Sequence, residues 1–197
     1  GYKDDGETPN TLLSVLDYGE QQIIFEVRGL PTRDYRGFKI GVIFHAEKGW
    51  LQIGGGKGPA AFNKDDEPLR TFEGGGDHFA NFVQAARSGR AEDLAADIEE
   101  GHLSSALCHL SNVSYRVGGL AAMYKVFPFR EWEAAEDTFT RMKDHCSDND
   151  AKPDFTQIQV GKLLTVDPAT ERLVGDPEAD KLLTRDYRKP FVVPETI

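Results

Sequence analysis

The order of hydrophobic and polar positions predicts that the first third of the chain forms β-strands. Apolar and polar residues alternate through residues 12–18 and again through 21–30, on either side of a Gly19-Glu20 turn. Alternation on both sides of a short turn is typical of an antiparallel hairpin. Residues 38–46 and 50–54 repeat the arrangement. We therefore expect two consecutive hairpins.

The spacing of apolar residues then changes to a helical period. Asp77 is placed to cap a helix that Gly89 would stop. Asp97 and Glu100 have the spacing of a capping box for a second helix. The glycines at 118–119 would end this second helix, because glycine commonly follows the last helical turn.

The second half of the chain predicts one more long helix and several shorter elements. A helix near residues 131–145 is rich in charges, and we expect it to be more exposed than the others. Residues 163–174 indicate a hairpin around Asp167-Pro168, and Asp176-Pro177 begins a short helix with its cap and proline in the favoured order. The last stretch contains two prolines and is expected to dock in extended form.

The order of these elements defines the fold class. Strands, then a block of helices, then strands again predict an α+β fold with an open, mainly antiparallel sheet and helices packed on one face. Neither an internal repeat nor a long linker interrupts the pattern, so we expect a single domain over residues 1–197. Hydrophobic residues make up 39% of the chain, which is enough for a packed core.

Charge and cysteine content exclude several classes of partner. The net charge is −10, and the basic residues are scattered, which argues against binding nucleic acid or an anionic membrane surface. A membrane-spanning helix needs about 18 consecutive apolar residues, and no segment approaches that length. Cys108 and Cys146 are too few for a disulfide framework, so we expect free thiols.

Two glycine clusters, at residues 54–59 and 73–77, raise the question of a phosphate-binding loop. Such loops read GxGxxG or GxxxxGK followed by Ser or Thr. In the first cluster Lys57 is followed by glycine and proline, and the second cluster is not part of a βαβ unit. We interpret both clusters as turns and caps, and we predict no nucleotide site on this chain.

The histidines and Cys108 are the residues of this chain that could bind a metal ion or act as a nucleophile. His102 and His109 lie two helical turns apart, about 10 Å along the axis, which is too far for one shared metal ion. Glu99 and His102 form an ExxH pair, but carboxylate-bridged metal sites need a second such helix. Cys108 has no basic partner on its side of the helix, so we expect a buried core thiol. We assign neither a metal ligand nor a catalytic residue.

The second helix has an unusual composition, because residues 101–115 contain no Asp, Glu, Lys or Arg. At 100° per residue its side chains form three stripes. The stripes are apolar (Leu103, Ala106, Leu107, Leu110, Val113, Val117), polar (His102, Ser105, His109, Asn112, Arg116) and mostly small (Ser104, Cys108, Ser111, Tyr115). The polar stripe suits a partly enclosed cleft or an interface. Alternatively, its side chains satisfy each other and the nearby backbone.

Four stretches in order resemble the C-terminal α/β domain of Gfo/Idh/MocA-type oxidoreductases, in particular the bacterial dehydrogenase branch of that family. They are GETPNTLL with FEVRGLP, GGGDHFANFVQAARSGR, DIEEGHLSSALCHLSNVSYRVG, and LLTVDPATERLVGDPEADKLLTRDYRKPFVVP. The resemblance covers nearly the whole chain except residues 120–155.

The resemblance implies a substrate-binding and oligomerisation domain whose partner is an N-terminal Rossmann domain that binds NAD or NADP. The family's glycine-rich loop, its EKP lysine and its D-x-x-x-H histidine match no position here. We therefore expect no cofactor in this fragment, no activity alone, a sugar or polyol-like substrate, and a homo-oligomer formed through the sheet face. The residues expected to face the substrate or the cofactor domain are His102, His109, Asn112 and Arg116, with Arg28 and Tyr187 as further candidates.

Two other functions remain open from the sequence. The chain is a stand-alone binding or scaffold protein that lacks a cofactor domain, or it belongs to an enzyme that cleaves glycosides with the assistance of NAD, as some relatives of this family do.

Overall fold

The computed structural model describes residues 3–55, 57–122, 132–151 and 157–194. The chain separates into two compact units, which are described one at a time. The first unit comprises Gly1–Gly29 with Leu103–Ile197, and the second comprises Leu30–His102.

The first unit begins with the predicted hairpin. Strands β1 (Thr11–Asp17) and β2 (Gln22–Arg28) pair antiparallel, and the tight turn between them places Gly19 at a φ of 86°. Both strands lie where the alternating pattern predicts them, because the short turn fixes the register of the hairpin.

Strands β3 (Gly41–Ala46), β4 (Gly49–Gly54), β5 (Lys57–Asn63) and β6 (Pro68–Thr71) form the sheet of the second unit. They are antiparallel neighbours in the order β3-β4-β5-β6. The hairpin of β3 and β4 confirms the prediction, whereas β5 and β6 were not predicted. The glycine cluster does turn at Gly54 and Gly55, but the chain then continues into β5.

Helix α1 (His78–Ser88) has the predicted start and end. The Asp77 carboxylate accepts hydrogen bonds from the backbone N–H groups of Phe79 and Ala80, both at 3.0 Å. Gly89 ends the helix in the left-handed conformation, at a φ of 66°. The helix buries only Ala85 and packs against the short 3₁₀ turn Ala91–Asp93.

Helix α2 (Ile98–Val117) is capped by Asp97, whose Oδ1 accepts from the Glu100 N–H at 3.1 Å, as the capping-box spacing predicted. Its last turns supply Val113 to the core of the first unit, where it packs with Leu173 and Ala179. Around these three lie the partly buried side chains of Leu110, Val117, Leu164 and Leu183. The apolar stripe of α2 therefore does build a core, but only through its C-terminal half.

Two short strands follow and pack on the end of α2. Strands β7 (Gly119–Ala122) and β8 (Gln157–Val160) pair antiparallel and were not predicted. Ser114 on α2 is tied to Lys162, just after β8. The Lys162 N–H donates to the Ser114 carbonyl at 3.0 Å, and the Ser114 hydroxyl donates to the Lys162 carbonyl at 2.7 Å. These bonds fix the end of α2 against β8.

Helix α3 (Glu133–Asp148) packs on β1 and β2. The prediction that this charged helix is the more exposed one is wrong, because α3 buries five residues whereas α2 buries two. Ala135, Phe139 and Cys146 lie on one side of the helix at helical spacing, and its charged residues occupy the other sides. The exposure of α3 was predicted from its number of charged residues, but its burial depends on the spacing of its apolar residues.

The remaining elements of the first unit are short. Strands β9 (Thr165–Asp167) and β10 (Arg172–Val174) form the predicted hairpin, and helix α4 (Pro177–Asp180) follows it. The Asp176 carboxylate caps α4 by accepting from the Ala179 N–H at 3.1 Å. Residues 184–194 contain neither helix nor strand, and their side chains are exposed rather than docked.

The α+β class and the antiparallel pairing are both confirmed. The strands of the described residues lie in four antiparallel sheets, however, and not in the one open sheet that the pattern predicted. Within the described ranges, no helix is long and apolar enough to cross a membrane.

Candidate functional site

Helix α2 brings four of the predicted site residues to one face. The helix is continuous from Ile98 to Val117. Spacings of seven, three and four residues therefore place four side chains in one row along it: His102, His109, Asn112 and Arg116. The side chains of His102, His109 and Arg116 are exposed, and Asn112 is half-buried. The helix thus presents three hydrogen-bonding side chains to solvent, and the half-buried Asn112 lies between His109 and Arg116 in the same row.

The buried side of α2 explains why this row points outward. Ser111 and Val113 are the buried residues of the helix, and Ser111 satisfies its hydroxyl by donating to the Leu107 carbonyl at 3.0 Å. Asn112 lies between them, and its Oδ1 atom is buried without a hydrogen-bond donor among the described residues. A buried carbonyl oxygen without a hydrogen-bond donor is costly. The side chains of the polar stripe therefore do not satisfy all of one another's hydrogen bonds, and Asn112 is the exception.

The chemistry available on this face is hydrogen bonding without charge repulsion. Imidazole and carboxamide groups both donate and accept hydrogen bonds, whereas the Arg116 guanidinium only donates. No carboxylate or lysine interrupts the face between Gly101 and Tyr115. The arrangement therefore suits a ligand with several hydroxyl groups, or a polar protein surface.

Cys108 is not the buried core thiol that the sequence predicted. Its side chain is exposed, whereas Cys146 on α3 is buried, and both are free thiols as expected. Cys108 belongs to the stripe of small residues on α2. That stripe is covered at Ser111, but it is open one turn earlier at Cys108.

Arg28, the first of the two further candidates, is held by an ion pair. Its Nε lies 3.1 Å from Oε1 of Glu26, two residues earlier on β2, and both side chains are largely buried. Arg141 on α3 approaches the other oxygen of Glu26, with Nη2 at 3.5 Å from Oε2. Arg28 therefore belongs to a charged network between β2 and α3.

Tyr187, the second further candidate, lies in the exposed stretch 184–194 and is itself half-exposed. The candidate residues on α2 are therefore four, of which His102 is the last residue of the second unit and the other three belong to the first. Arg28 and Tyr187 lie in other parts of the first unit.

Sequence reasoning missed an ion pair beside the core of the first unit. Lys162 Nζ lies 2.5 Å from Asp176 Oδ2, while the same carboxylate caps α4. The hydrogen bond from Lys162, together with the backbone N–H of Ala179, lowers the pKa of Asp176 below its ordinary value of 3.8. The Asp176-Pro177 sequence predicted the cap of α4, but it did not predict the ion pair of Asp176 with Lys162.

A second missed cluster stands at one end of the β3–β6 sheet. The Arg36 guanidinium lies 4.4 Å from the centroid of the Trp50 ring, and Phe62 stacks on Trp50 at 4.1 Å. Asp66 Oδ1 accepts from Trp50 Nε1 at 2.8 Å and from Arg36 Nη1 at 2.5 Å. The hydrogen bond from Arg36 and, to a smaller extent, the hydrogen bond from Trp50 lower the pKa of Asp66.

We interpret the Trp50 cluster as structural, because Arg36 and Phe62 both lie over the indole ring, where a ligand would stack. His45 pairs with Trp50 across β3 and β4, and burial together with the nearby Arg36 charge lowers its pKa. In the part of the chain that the structure describes, no group of three or more His, Cys, Asp or Glu side chains is placed to hold a metal ion.

The chain is thus an α+β protein with antiparallel sheets, and its helix α2 presents a polar face that has neither a carboxylate nor a lysine. Comparison with models of protein families, with curated proteins and with solved structures found no match.

Proposed function

We propose that the chain is the substrate-binding and oligomerisation domain of an NAD(P)-dependent oxidoreductase that acts on a sugar or polyol-like substrate. Alone, it is catalytically incomplete. The sequence resemblance suggests the class of enzyme, and the polar face of α2 suggests where the substrate lies.

The exposed polar face of α2 is the observation that carries the proposal. A solvated helix face normally carries Lys and Glu, whereas a buried face is apolar. The face formed by His102, His109, Asn112 and Arg116 is neither, and it is open in this structure. Such a face fits the wall of a site whose ligand carries hydroxyl groups, because hydroxyls both donate and accept hydrogen bonds.

The oligomerisation half of the proposal is supported by the β3–β6 sheet. Val42 on β3 is the register partner of Ile53 on β4, and Phe44 lies two residues further on the same face of β3. All three side chains are exposed, although they are apolar. Contiguous apolar surface of this kind marks an interface, and we assign it to a second copy of the chain.

The hydride chemistry belongs to a nicotinamide cofactor, which would accept or return the hydride at a substrate carbon. Neither glycine cluster of the sequence has the spacing of a nucleotide-binding loop. The glycines at 74–76 precede α1, but they lack the GxGxxG spacing, and the strand before them belongs to an antiparallel sheet. The residues of α2 therefore bind and orient the substrate, and we assign them no step of hydride transfer.

The proposal is tested by calorimetric titration of the chain with NADH, with NADPH, and with a panel of sugars and polyols. We expect no saturable binding of either nucleotide and saturable binding of at least one polyol. The double variant His109→Ala, Asn112→Ala should weaken polyol binding at least about tenfold, since each lost hydrogen bond contributes about 1 kcal/mol. Arg87→Ala, an exposed change on α1, is the matched control and should leave binding unchanged.

Two outcomes would overturn separate parts of the proposal. Micromolar binding of NADH would show that the chain has a cofactor site of its own. Polyol binding that the double variant leaves intact, or no polyol binding at all, would refute the assignment of the α2 face. Reading the gene upstream of this chain separates the proposal from the scaffold alternative, since an in-frame Rossmann domain supports the oxidoreductase.

A further inference from the structure

Arg28, the last residue of β2, carries a largely buried guanidinium group whose hydrogen-bond donors the fold does not use. Its side chain is 11% exposed, and its Nε lies 3.1 Å from Glu26 Oε1. This contact is an ion pair without hydrogen-bond geometry, because Glu26 Oε1 accepts no hydrogen bond from the described residues. Among those residues, no acceptor receives a hydrogen bond from the Arg28 guanidinium. A guanidinium has five N–H groups, and burying them without acceptors is costly, so Arg28 is suited to bind an external acceptor.

A second guanidinium lies on the other side of the same carboxylate. Arg141 Nη2, on α3, lies 3.5 Å from Glu26 Oε2 and donates a hydrogen bond to the Thr138 hydroxyl at 2.7 Å. Thr138 is buried, and its hydroxyl donates in turn to the Ala134 carbonyl at 2.8 Å. Glu26 therefore brings two arginines from different elements close together, and the buried threonine fixes the position of one of them.

The positive charge of this cluster exceeds its negative charge. Arg28 and Arg141 against Glu26 give +1, and the three side chains are 11%, 25% and 16% exposed. Asp137 Oδ2 also lies 3.9 Å from Arg141 Nη1, but its side chain is 80% exposed, so solvent screens most of the attraction. A largely buried charge without a counter-ion is costly, so a small anion would stabilise the cluster. The net charge of −10 of the whole chain does not cancel this preference, because salt screens exposed charges beyond about 8 Å.

We propose that Arg28 and Arg141 form a binding site for an oxyanion, namely the carboxylate or phosphate group of a small molecule. The planar fork of an arginine matches two oxygens of such a group, and hydrogen bonds between charged partners are stronger than neutral ones. Arg28 donates the hydrogen bonds, Arg141 adds positive charge, and Glu26 positions both guanidinium groups. The site lies on β2 and α3, so the inference does not rest on the proposed binding of a sugar or polyol to α2.

Thermal unfolding during a titration with inorganic phosphate, and during a second titration with acetate, tests the site. Sodium chloride keeps the ionic strength constant, so that general screening does not change. We expect a Tm that rises and then saturates with at least one of the two ions, because a ligand that binds only the folded state stabilises it. Arg28→Met removes the donors and should raise the half-saturating concentration at least about tenfold. Arg87→Met, an exposed change on α1, is the matched control and should leave that concentration unchanged.

The ion that saturates at the lower concentration identifies the class of ligand. No saturable rise in Tm with either ion, or a rise that Arg28→Met leaves intact, would overturn the site.

Stability without added oxyanion separates the site from a purely structural ion triad. We expect Arg28→Met to keep its Tm within about 2 °C of the unmodified chain, because it removes a charge that the fold does not fully neutralise. A large fall in Tm in buffer without phosphate or acetate would show that Arg28 stabilises the fold through its own chain, and would overturn the proposal. The polyol titration of the α2 face is a separate measurement, so failure of one proposal is distinguishable from failure of the other.

Discussion

Replacement of Gly118 by alanine tests how tightly the end of α2 is packed against β8. A Cβ atom at Gly118 would lie 2.0 Å from the carbonyl oxygen of Val160 and 2.8 Å from the Cα of Gly161. Both of these are backbone atoms, so no side chain can rotate away to make room. At Gly119, the next residue, a Cβ atom would meet nothing within 4 Å. The two adjacent glycines therefore differ in the space beside them.

The expected cost of Gly118→Ala follows from the contacts that must move. Ordinary contacts of a Cβ atom begin at 3.4 Å, so β8 would have to shift away from α2 by more than 1 Å. Such a shift strains or breaks the two Ser114–Lys162 hydrogen bonds. With overpacking at about 1–3 kcal/mol and each hydrogen bond at about 1 kcal/mol, we expect a loss of about 2–4 kcal/mol.

The assay is thermal and urea unfolding followed by circular dichroism. For a chain of this size the loss corresponds to a fall in Tm of roughly 5–12 °C, whereas Gly119→Ala should stay within about 0.5 kcal/mol of the unmodified chain. Equal stability of the two variants would refute the close approach of α2 to β8. It would also remove the constraint that fixes the C-terminal end of the polar face.

Three further predictions follow from single side chains. The lowered pKa of Asp176 stabilises the folded state above the ordinary value of 3.8, and this contribution is lost as the pH falls through the folded pKa. The urea midpoint of Asp176→Asn should therefore fall less steeply below pH 5 than that of the unmodified chain, and parallel curves would contradict the Lys162 pair. A thiol reagent should modify Cys108 in the folded protein and Cys146 only on unfolding, as the exposed and buried positions require, and equal rates would contradict this. Leu173→Ala should cost about 2–5 kcal/mol in urea unfolding, because Leu173 is buried beside Val113, and a cost below 1 kcal/mol would show that this core does not form.

The sequence predicted those elements that depend on neighbouring residues. The turn at Gly19, the cap at Asp77 and the cap at Asp176 each act within a few residues, so their signals are complete in a short window. The four residues on the polar face of α2 were likewise predicted, because one continuous helix fixes their spacing.

The sequence did not predict those features that depend on distant parts of the chain. β7 and β8 are short strands far apart in sequence, and only their pairing defines them. Strand β5 starts within a glycine and proline cluster, a composition typical of a turn. The exposure of Cys108 depends on which neighbours cover the small-residue stripe, and helical spacing alone does not contain that information.

The central claim is that the polar face of α2 binds a hydroxyl-rich ligand on a chain that has no cofactor site. The most direct test is a ¹⁵N NMR titration of the chain with the polyol panel and, separately, with NADH. We predict shifts clustered at the backbone amides of residues 102–116 with a polyol and no saturable shifts with NADH. Saturable shifts with NADH, or polyol shifts confined to residues outside α2, would contradict the claim.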